Sequence, residues 1–345
     1  MFGSKLAIKL WETTAEKGIG ALFKPWQIRR EGIASLEMER KKMLVLAQTE
    51  RDIEDIKTGK LSVSLNEIGN PKLIHQREGH TFDNADSLEP FIDIKNLPKA
   101  LNTQFVANEF QKEINVAKSL LVAEEVLAAD ASEPTQDNIE DDWLMRWRES
   151  AATSSSEKLQ DLWGRILAGE LKSPGSYSLR TVEFLKNLTQ KEAEKIQKLF
   201  SFILLGRVIK KEAMSDTYDN KHLDNELKFN FLSEMQSLGI ITGVESMGLT
   251  TTFNSDSKDT FSIYHIYNDK VMRIHHSDTN KKLELNVLIL TPLGLELKQL
   301  CPVTIDSIYL NYVIDIIKSQ GFNISIGDLV CDSNGKLFSR NQVEV

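Results

Sequence analysis

Apolar positions near the amino end recur at the spacing of an amphipathic helix, with a break at Gly18 and Gly20. The large side chains on this face are Phe2, Leu6, Leu10, Trp11, Leu22, Phe23 and Trp26. Such a face packs on the rest of its own chain, on a second copy or another partner, or on a membrane surface. We predict an interaction surface here and keep these alternatives open.

The next two segments differ in pattern. Residues 27–58 are rich in strong helix formers. Their apolar positions do not keep a heptad, which favours a helix with one packed stripe over a coiled coil. Residues 1–58 are therefore predicted as an amphipathic helix followed by a long helix. Residues 59–104 contain scattered glycines and prolines, which predict an irregular linker.

The central region, residues 105–205, is predicted to be a helical domain. Leucines and isoleucines recur there at helical spacing around three of the five tryptophans, Trp143, Trp147 and Trp163. Two helix starts have the spacing of a capping box, at Ser154–Glu157 and at Thr189–Glu192. The pattern favours a packed core in this region.

The carboxyl-terminal part mixes helical and strand-like patterns. Residues 206–300 begin with a helical stripe at 221–238 and continue with alternating segments, an order that resembles a winged-helix module. A two-residue turn at Asn268-Asp269 predicts a hairpin. Its pairs would be His265 with Met272, Ser262 with His275 and Phe261 with His276. Residues 301–345 add a helix and a hairpin, so the predicted fold class is mainly α with a winged-helix-like α+β domain at the end.

Charge and composition limit the classes of partner that the chain is expected to bind. The chain has 345 residues and a net charge of −8, yet residues 1–30 contain six basic residues against two acidic ones. An acidic body disfavours nucleic acid, while the basic amino end suits an anionic surface. The apolar runs are far shorter than a membrane span, and no secretory signal is recognisable. Two cysteines make no disulfide framework, so we expect a cytoplasmic protein.

The sequence contains no familiar catalytic motif. A nucleophile elbow, a phosphate-binding loop and a dinucleotide fingerprint are all missing. In the predicted hairpin, His275 lies on the opposite face from His265, so these imidazoles do not converge on a metal. The acidic residues at 130–142 are predicted to form a solvated loop, although clustered carboxylates also suit a divalent cation. We therefore predict no enzyme activity, cofactor or metal site.

Several motifs resemble an uncharacterised bacterial family, a domain of unknown function. The segments that carry the resemblance are 143–148 (WLMRWR), 159–170 (LQDLWGRILAGE), 173–181 (SPGSYSLRT), 17–22 and 25–30. The central motif and residues 290–294 are also similar to the abortive-infection alpha group, a mostly helical set linked to phage resistance. The resemblance implies no catalytic residues. For Trp143, Trp147, Trp163 and Arg180, we favour core packing with an ion pair over a binding role.

These observations lead to three hypotheses about function. The first is a non-enzymatic interaction or scaffold protein, linked to phage defence by the resemblance, which binds a protein partner or a second copy through residues 2–26. The second is a winged-helix DNA-binding regulator that uses residues 206–300. The third is a peripheral membrane protein anchored by residues 2–26.

Overall fold

The computed structural model describes residues 5–19, 35–58, 60–65, 71–75, 97–130, 132–210, 221–245, 249–301, 303–331 and 337–345. The chain forms two compact units, residues 1–182 and 183–345. Helices make up 54% and strands 19% of the described structure, with two antiparallel sheets in the carboxyl-terminal half. The predicted mainly α class is therefore wrong, and the chain is an α+β protein. The finer division at 58, 104, 205 and 300 stays a prediction.

The described residues of the first unit form five helices and one hairpin. They are α1 (Lys5–Glu16), α2 (Ser35–Lys57), β1 (Leu61–Leu65), β2 (Pro71–His75), α3 (Leu97–Ala128), α4 (Asp141–Thr153) and α5 (Glu157–Lys172). The strands β1 and β2 pair antiparallel inside the segment predicted as an irregular linker. The predicted helix over 27–58 is found from Ser35 onward, while residues 27–34 lie outside the described part.

Helix α3 is the centre of the first unit, because α1, α2, α4 and α5 all pack on it. Its buried positions include Ile114, Val116 and Ala117, which lie on different sides of the helix. Helix α5 lies close against α3 at Gly164, where an added Cβ would lie 2.5 Å from the Cβ of Val122. A side chain at this position would push the two helices apart.

Helix α6 (Leu179–Lys186) contains the boundary between the units. The other elements of the second unit are α7 (Gln190–Phe200), β3 (Arg207–Ile209), α8 (Lys221–Glu226), α9 (Phe229–Ser237), β4 (Ile241–Thr242), β5 (Leu249–Phe253), β6 (Phe261–Tyr267), β7 (Lys270–His276), β8 (Leu283–Leu290), α10 (Pro292–Leu300), α11 (Ser307–Ser319), β9 (Asn323–Cys331) and β10 (Leu337–Glu344). The helix predicted over 221–238 is split between α8 and α9.

The described strands of the second unit form two sheets. The first has the order β3-β8-β4, with β5 also paired to β8, and the second has the order β10-β9-β7-β6. The winged-helix interpretation treated β6 and β7 as part of one long wing. In the structure β7 pairs with β9 from the carboxyl-terminal segment, from Lys270↔Asp328 to His275↔Asn323. This pairing joins distant parts of the chain, so no local pattern predicted the second sheet.

The hairpin of β6 and β7 has the predicted register. His265 lies opposite Met272, Ser262 opposite His275 and Phe261 opposite His276, so the prediction is confirmed. Asn268 in the turn has a φ of 49°, the left-handed conformation that asparagine tolerates in tight hairpins.

One predicted capping box is confirmed and the other is wrong. Thr189 and Glu192 make both reciprocal hydrogen bonds at the start of α7. Helix α5 instead begins after Ser156, whose side chain makes no capping bond. The Ser154 hydroxyl is buried and donates to the Ser150 carbonyl at 2.9 Å. Tertiary contacts at Ser154 therefore override the local motif.

The core of the second unit is centred on Tyr309 of α11, which is completely buried. Its hydroxyl accepts a hydrogen bond from the Ile209 amide at 2.7 Å, and its ring packs edge-on against Phe202 with 5.5 Å between the centroids. Burial raises the pKa of the Tyr309 hydroxyl above its ordinary value. Within the described part of the chain, no helix is both long and apolar enough to cross a membrane.

Candidate functional site

The three central tryptophans belong to α4 and α5, and their side chains are buried. Trp143, Trp147 and Trp163 are exposed by 3%, 0% and 1%. Each indole N–H has a protein acceptor: Trp143 donates to the Tyr177 carbonyl at 2.7 Å, Trp147 to the Trp163 carbonyl at 2.8 Å, and Trp163 to the Ser154 hydroxyl at 2.9 Å. The indoles therefore fasten α4, α5 and the segment after α5 to one another.

Two buried amides extend this network, and sequence reasoning missed both. Asn115 of α3 donates to the Ala152 carbonyl at 2.8 Å. Gln160 of α5 donates to the Asn115 side-chain oxygen at 3.2 Å and to the Ser154 carbonyl at 3.0 Å. Each of the two side chains is only 3% exposed. In the sequence, the signal for each buried amide is a polar residue among the apolar positions of its helix.

A buried carboxylate holds the turn that follows α5. Glu170 is 3% exposed, and its two oxygens accept hydrogen bonds from the amides of Gly175 at 2.6 Å and Tyr177 at 2.9 Å. At Gly169 an added Cβ would lie 2.7 Å from the Tyr177 ring. A shallow cavity of about 330 Å³ lies beside this turn and is lined partly by Trp143 and Glu170. Because the backbone occupies both Glu170 oxygens, this carboxylate positions the turn.

Arg180, the fourth residue of the predicted motif, lies elsewhere. It is exposed near the start of α6, outside the buried group of tryptophans. The structure thus brings together the three tryptophans and leaves the arginine on the surface.

The described residues of the predicted amino-terminal interaction face pack inside the first unit. Leu6, Leu10 and Trp11 are exposed by 0%, 0% and 6%, and α1 packs on α3 and α5. Phe2, Leu22, Phe23 and Trp26 lie outside the described residues. The described part of this face therefore docks on its own chain, one of the alternatives that the sequence left open.

Basic side chains of α1, and Lys17 just after it, bind the acidic loop before α4 and the first residue of α4. Lys5 pairs with Glu133 at 2.7 Å, and Lys17 pairs with Asp141 at 2.7 Å. Lys9 donates to two carbonyls of the same loop, at 2.7 Å each. These carboxylates thus neutralise Lys5 and Lys17, part of the basic charge that we considered for an anionic partner.

Asp130 at the start of this loop is paired as well. Its carboxylate accepts from Lys172 at 2.5 Å, and hydrogen bonds from Lys172 and Ser132 lower its pKa to about 2. No cluster of three histidine, cysteine, aspartate or glutamate residues suited to a metal occurs among the residues that the structure describes.

The described histidine side chains have separate partners. His265 is half-buried and accepts a hydrogen bond from the Leu205 amide at 3.1 Å. Burial, assisted by the positive charge of Lys298, lowers the pKa of His265 to about 4. His222 lies 3.2 Å from Asp306, and His275 lies 3.3 Å from Glu344. The His75 side chain and His80 lie outside the described part.

The helix considered for DNA reading carries paired acidic groups. Glu234 of α9 binds Lys195 at 2.5 Å, and Glu226 of α8 binds Lys198 at 2.5 Å. Two lysines that would otherwise attract phosphate are thus neutralised by these carboxylates.

The second sheet has one buried face and an opposite face, the open face, that is exposed at β6 but covered at Val271 and Ser325. Phe261, Met272 and Ile324 on the buried face are completely covered. On the opposite face Tyr264 and Ile266 are exposed by 53% and 47%. Their strand β6 is the last in the order of the strands that the structure describes. This open face is the second candidate site, and the sequence reasoning did not single it out.

The fold and these two sites define an α+β protein with a tryptophan-centred helical unit and a two-sheet unit. Comparison with known families assigns the chain to one of them. The family described as Protein of unknown function (DUF2806) matches residues 101–314, and the chain belongs to it. The matched segment includes the three tryptophans and all of β6 and β7. Comparisons with curated proteins and with solved structures give no match.

Proposed function

We propose that this chain is a non-enzymatic interaction protein that associates with a second copy through the edge strand β6. The observation that carries the proposal is the pair of exposed apolar side chains on that edge, Tyr264 and Ile266. An edge strand presents free backbone groups to another chain, and natural edges are usually protected by charges, prolines or bulges. The tryptophan centre is the rigid support in this proposal, because its polar groups are already bound inside the protein.

The two edges of the second sheet differ in protection. Strand β10, at one edge, carries Arg340 and Glu344 and has an irregular register between residues 340 and 343. Strand β6, at the other edge, has the sequence FSIYHIY, with no acidic or basic residue other than a histidine. Because the chain carries a net charge of −8, an uncharged strand is where two copies approach with the least repulsion.

The part of the β6 edge that other residues leave uncovered determines where a second copy can pair with this strand. Residues 255–256 cover its first half, since the Asp256 amide donates to the Ser262 carbonyl at 2.8 Å and the Asp256 carboxylate accepts from the Tyr264 amide at 3.4 Å. The second half, around Ile266, is where we place the contact. A two-fold axis there would join the two sheets edge to edge.

Light scattering after size-exclusion chromatography, over a concentration series, tests this proposal. We expect the wild type to shift from monomer to dimer as the concentration rises, and I266K to stay monomeric because it places a charge on the edge. F105K is the matched control, since Phe105 is 63% exposed on α3 of the other unit. A wild type that is monomeric throughout, or equal behaviour of I266K and F105K, would contradict the proposal.

The two alternatives from the sequence have weaker support. A membrane anchor or an interface through residues 2–26 requires a face whose described residues pack inside the unit, so α1 would first have to detach. Flotation with anionic liposomes tests that case. DNA binding is disfavoured because the acidic side chains of α8 and α9 repel phosphate. Filter binding over a salt series tests this role, since phosphate contacts give a steep dependence of affinity on salt.

For the biological role we propose phage defence in the cytoplasm. The support is the resemblance of the central motif and of residues 290–294 to the abortive-infection alpha group, together with the free thiol of Cys301. A plaque assay in cells lacking the protein, complemented with wild type or with I266K, tests this role. Equal plaque numbers with and without the protein, across a panel of phages, would remove it.

A further inference from the structure

The open face of the second sheet holds a row of polar residues next to the proposed contact strand. In the register of the sheet, Tyr264 lies opposite Arg273, Arg273 opposite Ser325, and Ser325 opposite Glu344. Directly opposed residues in antiparallel strands share a face, with Cβ atoms about 5 Å apart. His275 follows Arg273 by two residues on the same strand, so it lies on that face as well.

Arg273 in the middle of this row has unused donors. Its Nε donates to the Ser262 hydroxyl at 3.0 Å, and its guanidinium lies 5.8 Å from the centre of the Tyr264 ring. Its two terminal nitrogens bind no acceptor among the residues that the structure describes. A guanidinium with one edge anchored and one edge free is preorganised to bind an oxyanion with two hydrogen bonds.

Two further polar atoms around Arg273 are buried without a partner in the described part of the chain. They are the Ser325 hydroxyl oxygen and the Nδ1 atom of His275. Ser325 is only 5% exposed, so its hydroxyl has little access to bulk solvent. Buried polar groups in proteins almost always have a hydrogen-bond partner, and an exception commonly marks a bound water or ion.

The charges around the row limit the ligand class. Arg273 contributes the positive charge, and Glu344 contributes a negative charge at 3.3 Å from His275 Nε2. Asp256 lies near the Tyr264 amide at the other end of the row. A carboxylate ligand has two oxygens, whereas a phosphate group offers more acceptors to the two guanidinium nitrogens, a hydroxyl and an imidazole.

We propose that this Arg273 row binds the phosphate group of a small soluble molecule. Arg273 supplies the bidentate contact, Ser325 and His275 supply further hydrogen bonds, and the Tyr264 ring flanks the guanidinium. Glu344 competes with the ligand, because its carboxylate repels the anion and holds His275. The proposal does not depend on association through β6.

Isothermal titration of the full-length protein with inorganic phosphate, at constant ionic strength and in a phosphate-free buffer, tests the site. A second titration with glycerol 3-phosphate separates free phosphate from a phosphomonoester, since the natural source should bind more tightly. We expect saturable binding at one site per chain. R273Q should weaken it at least tenfold, S325A should weaken it several-fold, and E344Q should strengthen it.

R340Q is the matched control, because Arg340 is an exposed arginine of the same sheet that lies over the Phe338 ring instead of in the row. It removes the same charge and should leave phosphate binding unchanged. Unchanged melting curves of R273Q would show that the variant is folded, and I266K should bind phosphate as well as the wild type does. A wild type without saturable binding, or equal losses in R273Q and R340Q, would overturn the proposal.

Discussion

The tryptophan centre of the first unit and the open sheet face of the second unit use polar groups in opposite ways. In the centre, three indoles, two amides and a carboxylate all bind acceptors or donors of their own chain. On the sheet face, the terminal nitrogens of Arg273, the Ser325 hydroxyl and His275 Nδ1 have no partner among the described residues. The difference indicates that the most recognisable motif of this chain maintains the fold, while the proposed binding surface lies on the less conspicuous strands.

The largest effect is expected from removing a central indole. Trp147→Ala deletes a completely buried ring and its hydrogen bond to Trp163, so the first unit should lose about 3–5 kcal/mol of unfolding free energy. Urea denaturation followed by circular dichroism measures the loss. Met145→Ala on the same helix is the control, since Met145 is 50% exposed and should change stability little. If W147A lost no more unfolding free energy than M145A, the tryptophan centre would not maintain the fold of the first unit.

The pH dependence of the second unit should be the next largest effect. The pKa of His265 is lowered from 6.5 to about 4 in the folded protein, so between these values only the unfolded chain binds the proton. Stability should therefore fall as the pH falls from 6.5 towards 4, by roughly 3 kcal/mol. Urea denaturation of wild type and His265→Gln across this range measures the difference. His222→Gln is the control, and an unchanged pH slope in H265Q would contradict the assignment.

A smaller loss is expected at the carboxylate of the tryptophan centre. In Glu170→Gln one backbone amide, of Gly175 or Tyr177, loses its acceptor, because the new NH₂ group donates. We expect a loss of about 1–3 kcal/mol in the first unit, measured by urea denaturation. Glu149→Gln, at an exposed position of α4, should be neutral. If both variants matched the wild type, Glu170 would not hold the turn.

The smallest stability effect is expected on the open sheet face. Arg273→Gln should lower the unfolding free energy by about 0.5–1 kcal/mol, since it removes one part-buried hydrogen bond to Ser262. The melting temperature in phosphate-free buffer measures this. A stability loss as large as that of E170Q would mean that Arg273 maintains the sheet, and the contrast between the two regions would disappear.

The sequence predicted several local features because short-range geometry sets them. The β6–β7 register follows from the turn at Asn268 and the two-residue period of strands. The capping box at Thr189 needs only residues within one helical turn. The burial of the three tryptophans likewise follows from their spacing along amphipathic helices. The sequence did not predict the proposed binding face, because Arg273 and Ser325 are 52 positions apart and each lies in an ordinary strand.

The sequence by itself determined where most helices and one hairpin form, since periodicity and turn residues act over a few neighbouring positions. Only the tertiary structure decided that α1 docks on its own unit, that Ser154 binds an indole instead of capping a helix, and that β9 joins β7 in a second sheet. These outcomes depend on which distant surfaces bury the most apolar area and leave the fewest polar groups unpaired. A local pattern does not contain that information, because the partner of each surface is another part of the chain.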